Sequence, residues 1–444
     1  MVVCPNWDET FSKITHGKGV YVYDETGKEY IDASAGSAAV SNLGHGIEQI
    51  AEILYEQTKK AAVLPTHAFS SEIVETYFNK LIDFCPPGFE RAWTVTSGTE
   101  AVENSVKIAL QYQQLIGQNN RYKIISRWFS YHGNSIFMLD VGGMKYRRQA
   151  YSQWLHNFPH ISPAYQYRHP EVISEEEFCQ LKINELINCI EANGPDTIAA
   201  FIAEPVVGAA LGAVPPPKGY FQKIREVCDA YGILFIVDEI MTGFGRIGSN
   251  FGIEKFNTIP DIIAAGKGMS GGYYPLSAVL VNQKVAGVLE ANKSLFRAGH
   301  TYSCNPAGAA VGNFVIDFMA ENNIIGNVNR TGKLLKQKLN HLLDTDIIGD
   351  VRGEGLQLGI EIVQNKITKT PFPTDMRASE RIFRKALQKG VILYPGKGSV
   401  DGQAGDHILI CPPLTISEME VEQLAEAVYE SVMEFCQESI IENV

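Results

Sequence analysis

From about Trp93 the chain sets short apolar runs between longer stretches of helical periodicity. AWTVT begins at Ala92, YKIIS at Tyr122, IAAFIAE at Ile198, ILFIVD at Ile233, IIAA at Ile262 and SAVLV at Ser277, with a helix expected from Thr99. Continuous apolar runs are the mark of strands buried on both faces, and helices between them cover those faces. The pattern therefore predicts an α/β fold around a mostly parallel sheet. In such sheets ligands gather at the carboxyl ends of the strands, so the residues just past each run are the ones to inspect for chemistry.

The flanks read differently. Gly19 to Ala33, GVYVYDETGKEYIDA, alternates apolar and polar residues about an Asp24-Glu25-Thr26-Gly27 turn and predicts a β-hairpin. Beyond Gly312 amphipathic helix dominates, with a strand-like VRGEGLQLGIEIV from Val351 and a closing helix from Ser417, which fits a smaller α+β domain. The expected organisation is an N-terminal segment 1–47 joining the small domain, a large domain 48–311 and a C-terminal small domain 312–444. The aromatic, His-containing stretch Tyr151 to Glu177 reads as a surface excursion.

Composition narrows the class. An apolar share of 45% and a charged share of 20% are ordinary for a globular protein. A balance of 38 basic against 50 acidic residues, net -12, argues against nucleic acid or anionic membranes as partners. The cysteines Cys4, Cys85, Cys179, Cys189, Cys228, Cys304, Cys411 and Cys436 form no CxxC pair and have no His at metal-ligand spacing. Free thiols in a reducing compartment and no metal site are expected. MVVCPNWDET has no basic region followed by an apolar one, and no run is long enough to span a membrane, so a cytoplasmic enzyme is expected.

Candidate chemistry follows the strand ends. Thr96-Ser97-Gly98-Thr99-Glu100 is a hydroxyl-glycine-hydroxyl turn into a helix, a seat for phosphate, and equally an ordinary N-cap. Tyr131-His132-Gly133 offers a ring to stack on a planar ligand, or only a packed loop. Glu204 ends a buried run before Pro205. Asp238 follows five apolar residues, where an unpaired carboxylate costs several kcal/mol, so something cationic has to face it: a protonated heterocycle or a metal. Lys267 lies between two glycines at another strand end, where desolvation makes a lysine a nucleophile. Arg297 to Pro306 adds a hydroxyl-bearing loop with Thr301.

In that order these residues resemble the class III (ω-amino acid/amine) aminotransferases, pyridoxal-phosphate (PLP) enzymes of fold type I. The resemblance spans nearly the whole chain and rests on SGTEAVE at Ser97, YHG at Tyr131, AEPVVG at Ala203, VDEIMTGFGRIG at Val237, GKGMSGGYYP at Gly266, GHTYSCNP at Gly299, VRGEGL at Val351 and PPLTI at Pro412. It implies a ping-pong transfer from an amine or ω-amino donor to a keto acid or aldehyde. Lys267 would carry PLP as a Schiff base and then move the proton, and Asp238 would keep the ring nitrogen protonated. Ser97, Gly98 and Thr99 would hold the phosphate. Thr301, with His300, would join them from the neighbouring subunit of a homodimer or a tetramer built from it. Tyr131 and Ile240 would cover the two ring faces, with His132, Glu204 and Met241 alongside.

The departures concern the substrate. Met241 stands where many relatives have Gln, Leu409 where relatives acting on α-amino acids or γ-aminobutyrate carry an Arg, and Glu418 where amine transaminases carry a mobile Arg. An amine or amino ketone donor without a nearby carboxylate is expected, or a carboxylate held by another arginine among Arg127, Arg147 and Arg148. The insert Tyr151 to Arg168 would shape that pocket or only pack on the surface. Diaminopelargonate synthase and glutamate-semialdehyde aminomutase chemistry are alternatives on the same scaffold. A catalytically inactive PLP-fold binding protein is a further one.

Overall fold

The structure is a computed structural model that describes residues 11–296 and 298–442. Residues 1–10, which include Cys4, and Arg297 lie outside the described residues. The N-terminal strands β1 (Ile14–Lys18), β2 (Tyr21–Asp24) and β3 (Glu29–Asp32) form a meander in which the expected hairpin pairs Tyr21 with Ile31. The turn closes because Asp24 Oδ1 accepts from the Thr26 amide and hydroxyl at 2.8 and 2.7 Å.

The middle of the chain builds a seven-stranded sheet from β4 (Phe89–Val95), β5 (Lys123–Arg127), β6 (His160–Ile161), β7 (Ile198–Ala203), β8 (Leu234–Asp238), β9 (Ile262–Ala265) and β10 (Ser277–Asn282). Its order is β4-β10-β9-β8-β7-β5-β6. Among the described residues β10 alone is reversed, paired antiparallel to β4 and β9, so the sheet is mixed but mostly parallel. Every residue of β7, β8 and β9 is buried, the outcome expected of strands covered on both faces. Burial of each large apolar side chain there contributes roughly 1.5–3 kcal/mol.

Two segments differ from the sequence pattern. VRGEGLQLGIEIV is a hairpin rather than one strand: β11 (Ile348–Glu354) turns at Gly355 and returns as β12 (Gln357–Ile362). Gly355 has φ +55°, and a Cβ there would meet the Ile247 backbone at 2.6 Å, so the turn needs glycine. The strands β13 (Val391–Ile392), β14 (Tyr394–Lys397) and β15 (Asp406–Ile410) follow. β13 pairs with β3, while β14 and β15 extend the β11–β12 sheet, which ties the C-terminal region to the N-terminal strands. The closing helix Glu418–Glu442 starts as expected, with Ser417 accepting from the Glu420 amide.

The stretch Tyr151 to Glu177 is more than a surface excursion. His160 and Ile161 add a parallel edge strand, Tyr165 is buried, and Arg168 pairs with the buried Glu361 of β12 at 2.5 Å. Tyr165 and Arg168 both bond Glu361 of the C-terminal sheet, a contact that aromatic composition does not reveal. No helix of the described residues is long and apolar enough to cross a membrane. The seven described cysteines are free.

Candidate active site

Five strands of the central sheet end along one edge, and the residues just past them line a cavity of about 310 Å³. Gly98 and Thr99 follow β4, Tyr131 to Gly133 follow β5, Glu204 follows β7, Asp238 ends β8 and Lys267 follows β9. Ile240 and Met241 complete this floor.

Asp238 is buried, and its Oδ2 lies 2.8 Å from His132 Nδ1 while Oδ1 accepts the Ile240 amide at 3.1 Å. The buried carboxylate is thus hydrogen-bonded by an imidazole and a backbone amide. The other ring nitrogen, His132 Nε2, is buried without a hydrogen-bond partner. Glu204 accepts the Tyr131 amide at 3.2 Å and the Gly208 amide at 2.8 Å, which fixes the aromatic loop against the sheet. Burial, with the Asp238 charge nearby, raises the Glu204 carboxyl above the usual range. Met241 is seated by Gly208, where a Cβ would meet its sulfur at 2.3 Å.

Lys267 has φ +45°, a left-handed conformation that costs a residue with a Cβ about 1–2 kcal/mol. Its flanking glycines are required by packing. A Cβ on Gly266 would meet Ser277 Oγ at 2.6 Å, and one on Gly268 would meet Asn42 Nδ2 at 2.0 Å. Among the described residues no hydrogen bond or ion pair holds its amine. Burial draws the ammonium down to about 8, with Asp238 opposing, so a neutral nucleophilic amine is accessible near neutral pH.

The remaining wall comes from segments far apart in the chain. Ser37 and Ala38 arrive on a run of five left-handed residues, Ala35 to Ala39, braced by Asp32, which accepts the Gly36 amide at 2.6 Å. Met144 caps and Arg147 lies within a short helix, Lys145–Gln149, and Tyr394 opens β14. Val206 and Ala209 follow Glu204. Of these only Arg147 was singled out from sequence. The small-residue run at Ala33 to Ala39 was the one available signal for Ser37 and Ala38; nothing local marks Tyr394.

Other expected residues lie outside the cavity lining. Ser97 is the N-cap of helix Gly98–Leu115, in a capping box with Glu100, so the ordinary reading of that motif holds for its hydroxyl. The first amides of that helix, at Gly98 and Thr99, have no intrahelical acceptor. Thr301 is exposed, and His300 Nδ1 lies 3.6 Å from Glu100 on the outer face. Leu409 is buried in an apolar cluster with Val206 and Cys411. Glu418 pairs with Arg330 at 3.2 Å on the surface. No residue of the insert Tyr151 to Arg168 lines the cavity, which favours packing over pocket-shaping of the two readings.

The chemistry of this floor fits a phosphorylated pyridine aldehyde. It offers an unpaired amine, a buried carboxylate braced for a ring cation, an aromatic loop opposite an aliphatic side chain, and a helix start with spare amides. Gly98 permits the close approach: a Cβ there would meet Ile240 Cδ1 at 3.2 Å. No group of three or more metal-ligating side chains occurs among the described residues.

Comparison with known proteins agrees. The chain matches the family described as Aminotransferase class-III over residues 3–432. It is 37% identical over 432 residues to the aminotransferase YodT of Bacillus subtilis, covering 97% of each chain. Among solved structures, a transaminase from the marine bacterium Virgibacillus superposes with TM-score 0.90 at 34% identity, over 97% of this chain and 94% of the other. The ω-transaminase of Pseudomonas jessenii in complex with PMP superposes with TM-score 0.89 at 31% identity, over 96% and 93%.

Proposed function

The chain belongs to the class III aminotransferases, enzymes of PLP fold type I that move an amino group to a keto acid, and we propose that it does so with PLP attached to Lys267 and an amine or ω-amino compound as donor. The observation that carries this reading is the unpaired, desolvated Lys267 amine in one cavity with the braced Asp238 carboxylate. When bound, PLP supplies an electron sink that lets the proton on the substrate carbon be removed.

The chain's own residues do the rest. Lys267, neutral in part near pH 8, holds the cofactor and then takes and returns the proton at the substrate carbon. Asp238 holds a proton on the pyridine nitrogen, and His132 orients that carboxylate from behind. Gly98 and Thr99 bind the phosphate through the helix start. Tyr131 and Ile240 fix the ring plane, and Met241 keeps water from its edge. Thr301 and His300, exposed in the single chain, reach the phosphate of a second copy in a homodimer.

The purified protein should be yellow, and borohydride should leave a pyridoxyl mass on the peptide containing Lys267. A colourless chain that takes up no PLP, or a label on another lysine, would overturn this assignment. Gel filtration against light scattering tests the dimer.

A further inference from the structure

We propose that Arg147 is the acid-binding residue of this cavity, taking the carboxylate of the keto acid acceptor and of the amino acid formed from it. The inference rests on the aminotransferase reading above. A keto acid brings a carboxylate into a partly apolar cavity, and a desolvated carboxylate needs a cation with hydrogen-bond donors.

The places where relatives keep that cation are empty of charge or misplaced here. Leu409 is apolar and buried, and Glu418 is an acid on the surface. Arg127 is buried with one guanidinium nitrogen on the Glu204 carbonyl at 2.6 Å. Arg148 spends its guanidinium on the carbonyls of Leu139, Asp140 and Gly142, at 2.5 to 2.8 Å, and on Asp140. Among the described residues lining the cavity, the lysine and arginine cations are Lys267 and Arg147, and Lys267 is taken by the amine chemistry.

Arg147 is arranged to receive an acid. No carboxylate among the described residues pairs with it. Its Nε donates to Tyr146 Oη at 3.2 Å, and its guanidinium carbon sits 5.1 Å from the Tyr131 ring centroid and 5.6 Å from that of Tyr146. Stacked rings hold the guanidinium plane while leaving its terminal N–H groups free for a bidentate contact. Met144, Val206, Ala209 and Met241 line the same cavity, so its apolar walls leave less water to compete for that contact.

The test compares Arg147→Ala and Arg147→Lys holoenzymes with the parent, using a keto acid and an aldehyde of the same carbon skeleton as acceptors. In Arg147→Ala the KM for the keto acid should rise about tenfold or more beyond any rise for the aldehyde, with kcat less affected. Arg147→Lys should restore part of the difference. Equal changes for both acceptors, or none, would overturn the proposal. Calorimetric titration with propionate, read without turnover, should show binding to the parent and about tenfold weaker binding to Arg147→Ala; unchanged binding would also overturn it. A parent that transfers no amino group would sink the functional reading, while the propionate titration would still decide on Arg147.

Discussion

The floor and the wall of the cavity are built in different ways. The floor is made of residues that directly follow buried strands of one sheet, so each functional group is set within a few residues of a rigid element. The wall is assembled from the left-handed turn at Ala35 to Ala39, the short helix Lys145–Gln149 with its cap Met144, and Tyr394 of β14, which meet only because three sheets pack together. Chemistry common to the family lies on the floor, where small displacements are costly. On the reading proposed above, the choice of substrate falls to the wall, whose side chains come from segments outside the central sheet.

The difference can be broken most severely at the floor. Lys267→Ala should lower amino transfer at least about a thousandfold in both half-reactions if Lys267 is, as proposed above, both cofactor anchor and proton carrier. Stopped-flow rates with added PLP and amine check this, and a loss under tenfold would move the central role elsewhere. Gly268→Ala should act through packing. The new methyl strikes Asn42, whose side chain donates to the Phe244 carbonyl at 3.1 Å and accepts from Arg246 at 2.6 Å. A destabilisation of roughly 2–4 kcal/mol by urea unfolding, with loss of yellow colour, is expected.

Behind the wall the effects are smaller. His407 is buried beneath Gly212 and Gly396, with Nε2 3.1 Å from the Ala209 carbonyl, and burial lowers its pKa from 6.5 to about 4. Between those values the unfolded chain binds the proton and the folded chain does not, so stability present above pH 6.5 is lost as pH falls towards 4. The stability lost through this ring is on the order of 3 kcal/mol, and the pH slope of unfolding should flatten in His407→Gln. Tyr394→Phe should be the mildest, shifting KM by less than about threefold. The Tyr394 hydroxyl has no hydrogen-bond partner among the described residues. A large loss of kcat there would place Tyr394 with the floor.

Legibility followed the same division. Asp238, Lys267, Gly98, Thr99, Tyr131, His132 and Glu204 could be picked out because a buried run ending in a polar or ionisable residue is a local signal. Ser97 carried two readings that one stretch of sequence cannot separate, since a capping hydroxyl and a phosphate ligand need the same letters at the same place. The Tyr151 to Arg168 insert stays open between two readings in the sequence because its partner Glu361 lies about two hundred residues away. The hairpin at Gly355 reads as one strand because the alternation Leu356, Leu358, Ile360, Ile362 outweighs the turn signal in Gly353-Glu354-Gly355.

By itself the sequence determined the α/β class, through its motifs the family, and which residues line the floor of the cavity, because strand periodicity and the residues after each strand are local properties of the chain. Only the tertiary structure decided which of three arginines faces the cavity, that Leu409 and Glu418 do not, and that Ser37, Ala38 and Tyr394 do. Those are outcomes of packing between segments distant in the chain, and a side chain's partners there depend on which surfaces meet.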